Sequence, residues 1–289
     1  MGGLEAVLLD GQPMPVPGAT VPVLERGLHY GDALFETMAC VDGRPRLLER
    51  HLRRLIGGCE RLGLDAGDVA VLARELRELS RGTSRAVIKL LLTRGTALAR
   101  GYALTGLERP RRIALRYAWP VEDAGKEEGV RVRLATVRLG ENPALAGIKH
   151  CNRLEQVLAR REWADPGIAE ALMFSTSGAL VSGTMSNVFL VRGSKLLTPL
   201  IDRCGVAGVM RGLVLELAAA AGIANEEVRL DAADLGDADE LFLTNALTGI
   251  RPVQELGERR RVRGPVTLRL QRELAAHLAS EAKRANTGD

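Results

Sequence analysis

The sequence predicts a mixed α/β (α+β) protein of two domains. Strand-like runs closed by tight turns are mixed with helical stretches, without a regular βαβ alternation. A hydrophobic share of 46% against 26% charged residues, over 289 positions, is enough for a substantial core. A charged, glycine-containing stretch from Trp119 to Gly129 separates the two halves. The expected division is a small α/β domain over 1–118, a linker over 119–129 and a larger domain over 130–289.

Taken in order, residues 4–9 form a short apolar run, and Asp10-Gly11 supplies a hairpin turn into a second strand. After the proline-rich passage from Pro13 to Pro22, residues 26–32 read as a glycine-containing loop. Phe35 to Val41 is a strand closed by Asp42-Gly43. From Leu47 to Leu62, Leu48, Leu52, Leu55, Ile56, Cys59 and Leu62 recur at helical spacing, and Gly63 ends the helix. His51 and Arg54, three apart, share a face of it. Asp68 caps a second helix reaching Leu79. Ala86–Thr93 and Ile113–Ala118 are further strands.

In the second half, Val130–Val137 is a strand and Asn152–Trp163 a helix. Residues 171–181 make a hairpin turning at Ser177-Gly178, and residues 187–197 another around Gly193-Ser194. The approach Gly205-Val206-Ala207-Gly208 leads into an apolar helix over 209–221. Glu240–Thr244 is a strand, and an amphipathic helix covers Val266–Lys283.

Composition narrows the function. The formal charge of +4 is small, aromatic residues are 3% of the chain, and the arginines are spread along its length. A nucleic-acid binder concentrates basic charge and stacking platforms, so a small anionic ligand is expected and DNA or RNA is not. Cys40, Cys59, Cys151 and Cys204 show no metal spacing and read as reduced thiols. With Glu5 and Asp10 near the first apolar run and no run long enough to span a bilayer, the expected location is the cytoplasm, with no membrane contact.

Against 35 arginines the chain has only 5 lysines, and one of them, Lys149, lies between an apolar approach (Pro143 to Ile148) and the expected helix. A lysine whose surroundings lower its pKa can lose its proton and attack a carbonyl, which arginine cannot. The stretch alone also allows a lysine that snorkels to water.

Six features in order resemble the fold-type IV pyridoxal-phosphate enzymes, the group of branched-chain and D-amino-acid aminotransferases and aminodeoxychorismate lyase. They are Arg26-Gly27 with Gly31-Asp32, His51 with Arg54, Thr93-Arg94-Gly95, Lys149 with Asn152-Arg153, the segment Ser182 to Asn187, and Gly208-Val209-Met210-Arg211. The resemblance runs from Asp10 to about Pro252. It implies a small N-terminal α/β domain, a larger C-terminal domain with a barrel-like sheet, a homodimer, and pyridoxal 5'-phosphate as cofactor, with no metal. Lys149 would form the Schiff base and shuttle protons. Arg54 would grip the phosphate with its fork of donors. The backbone amides of Val209 and Met210 would meet the same phosphate at a helix start. Asn245 and Ala246 stand where a further phosphate contact is found.

One position departs from the pattern. Where the family has a glutamate facing the pyridine nitrogen, this chain has Ser182. A carboxylate keeps that nitrogen charged and the ring a strong electron sink; a hydroxyl offers only a neutral hydrogen bond. That disfavours transamination and favours an elimination whose product becomes aromatic. The residues around Lys149, the passage Arg100-Gly101-Tyr102 and Thr244-Asn245-Ala246-Leu247 resemble the lyase branch. The implied activity is elimination of pyruvate from 4-amino-4-deoxychorismate, giving 4-aminobenzoate for folate synthesis. Arg100 is the candidate for a substrate carboxylate or else a solvated loop charge. His29 is near the substrate or packs its loop. Thr37 faces the substrate if the strand register allows. A D-amino-acid or branched-chain aminotransferase, and a non-enzymatic protein with a degenerate site, are the alternatives.

Overall fold

Residues 3–98, 100–120 and 129–287 are described by the computed structural model, and they divide into two units. One comprises Met1–Val121 with Ile148–Arg153, the other Glu122–Gly147 with Leu154–Asp289. Of the expected linker, residues 121–128 lie outside the described residues. Ile148–Arg153, counted above with the larger domain, is part of the first unit.

In the first unit, β1 (Leu4–Leu9) turns through Asp10 and Gly11 into β2 (Gln12–Met14). Both turn residues have positive φ, 51° and 83°, the geometry that favours Asp-Gly in a two-residue hairpin. There follow α1 (Arg26–Tyr30), β3 (Ala33–Val41), β4 (Arg44–Pro45), α2 (Leu48–Leu62), α3 (Val69–Ser80), β5 (Arg85–Thr93) and β6 (Arg111–Ala118). The strands form an antiparallel sheet of order β2-β1-β6-β5-β3-β4.

Helix α2 buries the stripe Leu48, Leu52, Leu55 and Cys59. It stops at Gly63, whose left-handed φ of 58° lets its N–H bond back to the Cys59 and Glu60 carbonyls. Asp68 caps α3 by accepting from the Ala70 amide. Helix α2 lies so close to β3 that a Cβ on Gly58 would sit 2.8 Å from Leu34 Cδ1. Leu34 and Glu36 therefore face α2, and Phe35 and Thr37, partly exposed, face the other way.

The passage from Arg26 to Asp32, expected as a loop, contains the short helix α1. Glu25 accepts from the Gly27 amide at its start, and Gly31 closes it. Five residues are too few to show a helical period; tertiary bonds hold them instead. Buried Arg26 donates to Asp32 (2.9 Å) and to the carbonyl of Tyr102 (3.1 Å). Asp32 also accepts from Arg94 (2.8 Å), whose remaining nitrogens donate to the Leu62 and Gly63 carbonyls at the end of α2. Arg94 thus supplies a positive charge where the helix dipole is negative. Burial works against the Asp32 carboxylate, but the two arginines outweigh it and hold its pKa below the usual range.

The second unit runs β7 (Val130–Leu139), α4 (Leu154–Arg160), β8 (Ile168–Ser175), β9 (Leu180–Gly183), β10 (Asn187–Arg192), β11 (Lys195–Pro199), α5 (Val209–Ala220), β12 (Asn225–Val228), α6 (Ala232–Asp237), β13 (Glu240–Asn245), β14 (Gly249–Leu256), β15 (Arg259–Arg260) and α7 (Pro265–Thr287). Its nine-stranded sheet has the order β12-β11-β10-β13-β14-β7-β8-β9, with β15 beside β14. The end strand β9 also packs against β10 and β11, so the sheet curls into a barrel-like form. Alternate residues of β8 feed two cores: Leu172 and Phe174 join Val188, Leu190 and Leu241, while Ala171 and Met173 join Leu139, Ala159 and Trp163.

Helix α4 starts at Leu154 and ends at Arg160, shorter than the expected Asn152–Trp163. In the first unit the Asn152 amide donates to the Gly31 carbonyl (3.2 Å) and Arg153 Nε to the His150 carbonyl (2.8 Å). These bonds draw both residues out of the helix. β12, α6, β14 and β15 were not anticipated; β14 carries Pro252, which removes a ladder donor and hides the strand. All four cysteines are free. Among the described residues no helix is long and apolar enough to cross a membrane.

Candidate active site

The first unit carries the lysine. Residues 149–151 extend β3 sideways: the Phe35 amide donates to the Lys149 carbonyl, the Cys151 amide to the Ala33 carbonyl (both 2.9 Å), and Leu34 pairs with His150. This antiparallel register sets Lys149 opposite Phe35, on the same side, with Nζ 4.4 Å from the centre of the Phe35 ring. Thr37, two residues on, shares that face. The register question for Thr37 is therefore answered: it points to the side of Lys149.

The Lys149 pKa is pushed down to about 8. Burial is the largest cause, and the Arg54 guanidinium the next; Glu36 opposes them, and Arg153 and Lys89 add to the depression. The side chain keeps a partial opening to solvent. Near neutral pH an amine with this pKa is still mostly charged, but roughly a tenth of it is unprotonated at pH 7, far more than of an ordinary lysine, and that fraction is the nucleophile and proton acceptor.

Arg54 is fixed by a partner that the sequence did not reveal. Glu36, 1% exposed, accepts from Arg54 Nε (2.8 Å) and Nη2 (2.5 Å) and from His51 Nδ1 (2.6 Å). The bidentate pair sets the plane of the guanidinium. Burial disfavours the Glu36 carboxylate, yet Arg54 and His51 together hold its pKa low. Burial pushes His51 down, so its Nδ1–H is the donor to Glu36 while Nε2 lies buried with no hydrogen-bond partner among the described residues. Charge alternation along β3 would not have found this triad, because Glu36 looks like any strand glutamate until α2 covers it.

The other two substrate candidates sit elsewhere in this unit. His29 is exposed; its Nε2 bonds to the Val23 carbonyl (2.7 Å) and its ring packs against Tyr30. Arg100 is exposed on the loop after β5.

The second unit carries a helix start of the kind that receives phosphate. α5 begins at Val209 behind Gly208, an extended N-cap without a side-chain hydrogen bond. The first-turn amides of Val209 and Met210 thus have no side-chain cap and form the positive end of the helix dipole. A Cβ on Gly208 would fall 2.0 Å from Asn187 Oδ1. Asn187 in turn donates to the Val206 carbonyl (2.9 Å). Asn245 places its side-chain oxygen on the amides of Leu247 and Thr248, both 2.9 Å. Its side chain shapes the turn that carries Ala246.

Ser182 lies in β9, buried, and its hydroxyl donates to the Gly183 carbonyl (2.9 Å). As a neutral hydroxyl it offers a hydrogen bond and no charge to a neighbouring group. The next residues are pinned by a second carboxylate absent from the expectations. Buried Glu170 accepts from the amides of Thr184 (2.9 Å) and Met185 (3.1 Å) and from the hydroxyls of Thr184 and Ser186.

Each unit by itself carries groups that suit pyridoxal phosphate: the first an amine with a lowered pKa and an arginine held in one plane, the second an uncapped helix start behind a glycine with no room for a side chain. The comparisons agree. Residues 33–256 match the model of the family described as Amino-transferase class IV. An aminodeoxychorismate lyase of Vibrio harveyi is 33% identical over 239 residues, 82% of this chain and 88% of that protein. A putative branched-chain-amino-acid aminotransferase of Methanocaldococcus jannaschii is 30% identical over 260 residues, 88% of each. The crystal structure of 4-amino-4-deoxychorismate lyase from Pseudomonas aeruginosa superposes with a TM-score of 0.88 at 45% identity, covering 94% of this chain and 99% of that one. The chain belongs to the class IV aminotransferases, a family of pyridoxal-phosphate-dependent enzymes.

Proposed function

We propose that this chain is a 4-amino-4-deoxychorismate lyase that releases pyruvate and forms 4-aminobenzoate for folate synthesis, acting in the cytoplasm as a homodimer. Ser182 carries the proposal: a buried hydroxyl already donating to Gly183 stands where the family pattern has a carboxylate. The similarity to lyases at 33% and 45% identity supports it.

Bound pyridoxal phosphate supplies an electron-withdrawing ring on the substrate nitrogen. Lys149, its pKa near 8, takes the ring proton beside that nitrogen. The carbon–oxygen bond to the enolpyruvyl group breaks, the leaving group gains a proton to become pyruvate, and the six-membered ring becomes aromatic. That aromatic gain lessens the need for a carboxylate at position 182. Arg54, oriented by Glu36, and the amides of Val209 and Met210 are the groups that would hold the phosphate, with the turn at Asn245 and Ala246 as a further contact.

Purified protein incubated with aminodeoxychorismate should yield 4-aminobenzoate and pyruvate in equal amounts. Amino-group exchange with 2-oxoglutarate and no 4-aminobenzoate would establish instead the second reading, a branched-chain or D-amino-acid aminotransferase, which the 30% identical archaeal relative favours.

A further inference from the structure

Two side chains of α2, His51 and Arg54, meet on one carboxylate of β3. Glu36 receives Arg54 through both of its oxygens, Nε on Oε1 (2.8 Å) and Nη2 on Oε2 (2.5 Å), and His51 Nδ1 donates to Oε2 as well (2.6 Å). His51 and Glu36 are each 1% exposed. The two bonds of the fork fix guanidinium and carboxylate relative to each other. They leave the pair free to swing as a unit, because both side chains turn about several single bonds. The bond from His51 removes that freedom: its ring sits on a short side chain, on the same face of the same helix, one turn before Arg54.

Histidine is not needed there to fill space. Its neighbours in the buried stripe of α2 are Leu48, Leu52 and Leu55, and its Nε2 lies buried with no hydrogen-bond partner among the described residues. An unpartnered buried nitrogen costs stability that a leucine would not lose. What the imidazole adds at this place is its Nδ1–H.

We propose that His51 is a positioning residue for the cofactor phosphate, holding the Arg54 guanidinium, through Glu36, in the orientation that meets that phosphate. This rests on Arg54 as the phosphate residue and holds alike for a lyase or an aminotransferase. The charges facing His51 are Glu36 from β3, Arg54 from α2 and Lys149 from its own segment. Burial, helped by the two cations, outweighs the pull of Glu36 and lowers the His51 pKa, so the ring stays neutral. A neutral donor leaves the Glu36 charge to Arg54. A second cation at this position would instead compete for the carboxylate and add to the positive charge facing Lys149.

The test compares pyridoxal 5'-phosphate with pyridoxal, which lacks the phosphate, by absorbance titration of cofactor-free protein. The variants are His51→Leu, His51→Asn and His51→Gln, each checked for folding by its melting curve. His51→Leu should weaken binding of the phosphate form roughly tenfold, the scale of a hydrogen bond to a charged group, and leave pyridoxal binding as in wild type. His51→Asn carries an amide N–H where the imidazole has Nδ1–H, and it should restore most of the affinity. His51→Gln carries its amide nearer the place of Nε2 and should not. Equal binding of the phosphate form by wild type and His51→Leu overturns the proposal. So does an equal loss for both ligands, the mark of a general packing defect. If His51→Leu does not fold, the other two variants decide: tighter binding of the phosphate form by Asn than by Gln supports the role of His51, and equal binding overturns it. Arg54→Gln keeps the two readings apart. If it binds the phosphate form as wild type does, Arg54 is not the phosphate residue and the proposal falls with that reading. If it loses the preference for the phosphate form while His51→Leu keeps it, the role of His51 alone falls.

Discussion

Lys149 should make the cofactor-free protein less stable at neutral pH, and removing it should make the protein more stable. Its pKa falls from the ordinary 10.5 to about 8. In the unfolded chain the amine returns to the ordinary value, so between those two pH values the unfolded state binds more protons than the folded one. Stability therefore rises with pH across that window; the penalty is full below pH 8 and gone above 10.5. At ~1.4 kcal/mol per pH unit the penalty reaches about 3 kcal/mol, an upper bound because the side chain keeps a partial opening to solvent. The variant is Lys149→Met, which keeps the stem against Phe35 and removes the charge.

Urea unfolding of the cofactor-free forms at pH 7 should favour Lys149→Met by up to about 3 kcal/mol, and the gap should close towards pH 10.5. Two units need not unfold together, so proton uptake is the safer observable. On unfolding at pH 9, wild type should bind close to one more proton than the variant. A gap that does not vary with pH, or equal proton uptake by both proteins, would refute the idea that burial and Arg54 loosen this proton.

Glu36→Gln removes the charge that opposes Arg54, so in cofactor-free protein the pH midpoint of Lys149 acetylation, followed by mass spectrometry, should fall below about 8. Losing half of the Arg54 fork should also weaken pyridoxal phosphate binding roughly tenfold, as measured by absorbance titration. Ser182→Glu should raise transaminase side activity with 2-oxoglutarate while the lyase rate stays level or drops; an unchanged side activity would speak against the electronic account of Ser182. Gly208→Ala places a Cβ 2.0 Å from Asn187 Oδ1. Displacing Asn187 should cost about 1–3 kcal/mol of stability and lower cofactor affinity, seen together in melting curves with and without pyridoxal phosphate.

Where a structural signal is local, the sequence showed it. The Asp-Gly turns, the leucine stripe of α2 with Gly63 at its end, the Asp68 cap and the glycine before α5 all depend on residues a few positions apart, and each was placed within a residue or two. The exceptions are elements that tertiary bonds decide. α1 exists because Arg26 reaches Asp32 and the Tyr102 carbonyl, and α4 starts late because Asn152 and Arg153 are engaged by Gly31 and His150.

The candidate site divides in the same way. Lys149, Arg54 and the helix start at Val209 were legible because their chemistry is stated by residue type and short motif. Glu36 and Glu170 were not, since a glutamate in a strand reads as a solvated charge until its partners are known. Those partners lie 15 and 18 residues away for Glu36 and 14 to 16 away for Glu170, distances over which no period survives. Yet these two carboxylates determine what the legible residues can do. Glu36 sets the plane of Arg54 and partly offsets its effect on the Lys149 proton, and Glu170 fixes the turn that follows Ser182. Ser182 shows the same limit at the scale of one atom: its residue type says that a negative charge is missing, but only the structure shows that its hydroxyl is buried and bonded to the Gly183 carbonyl.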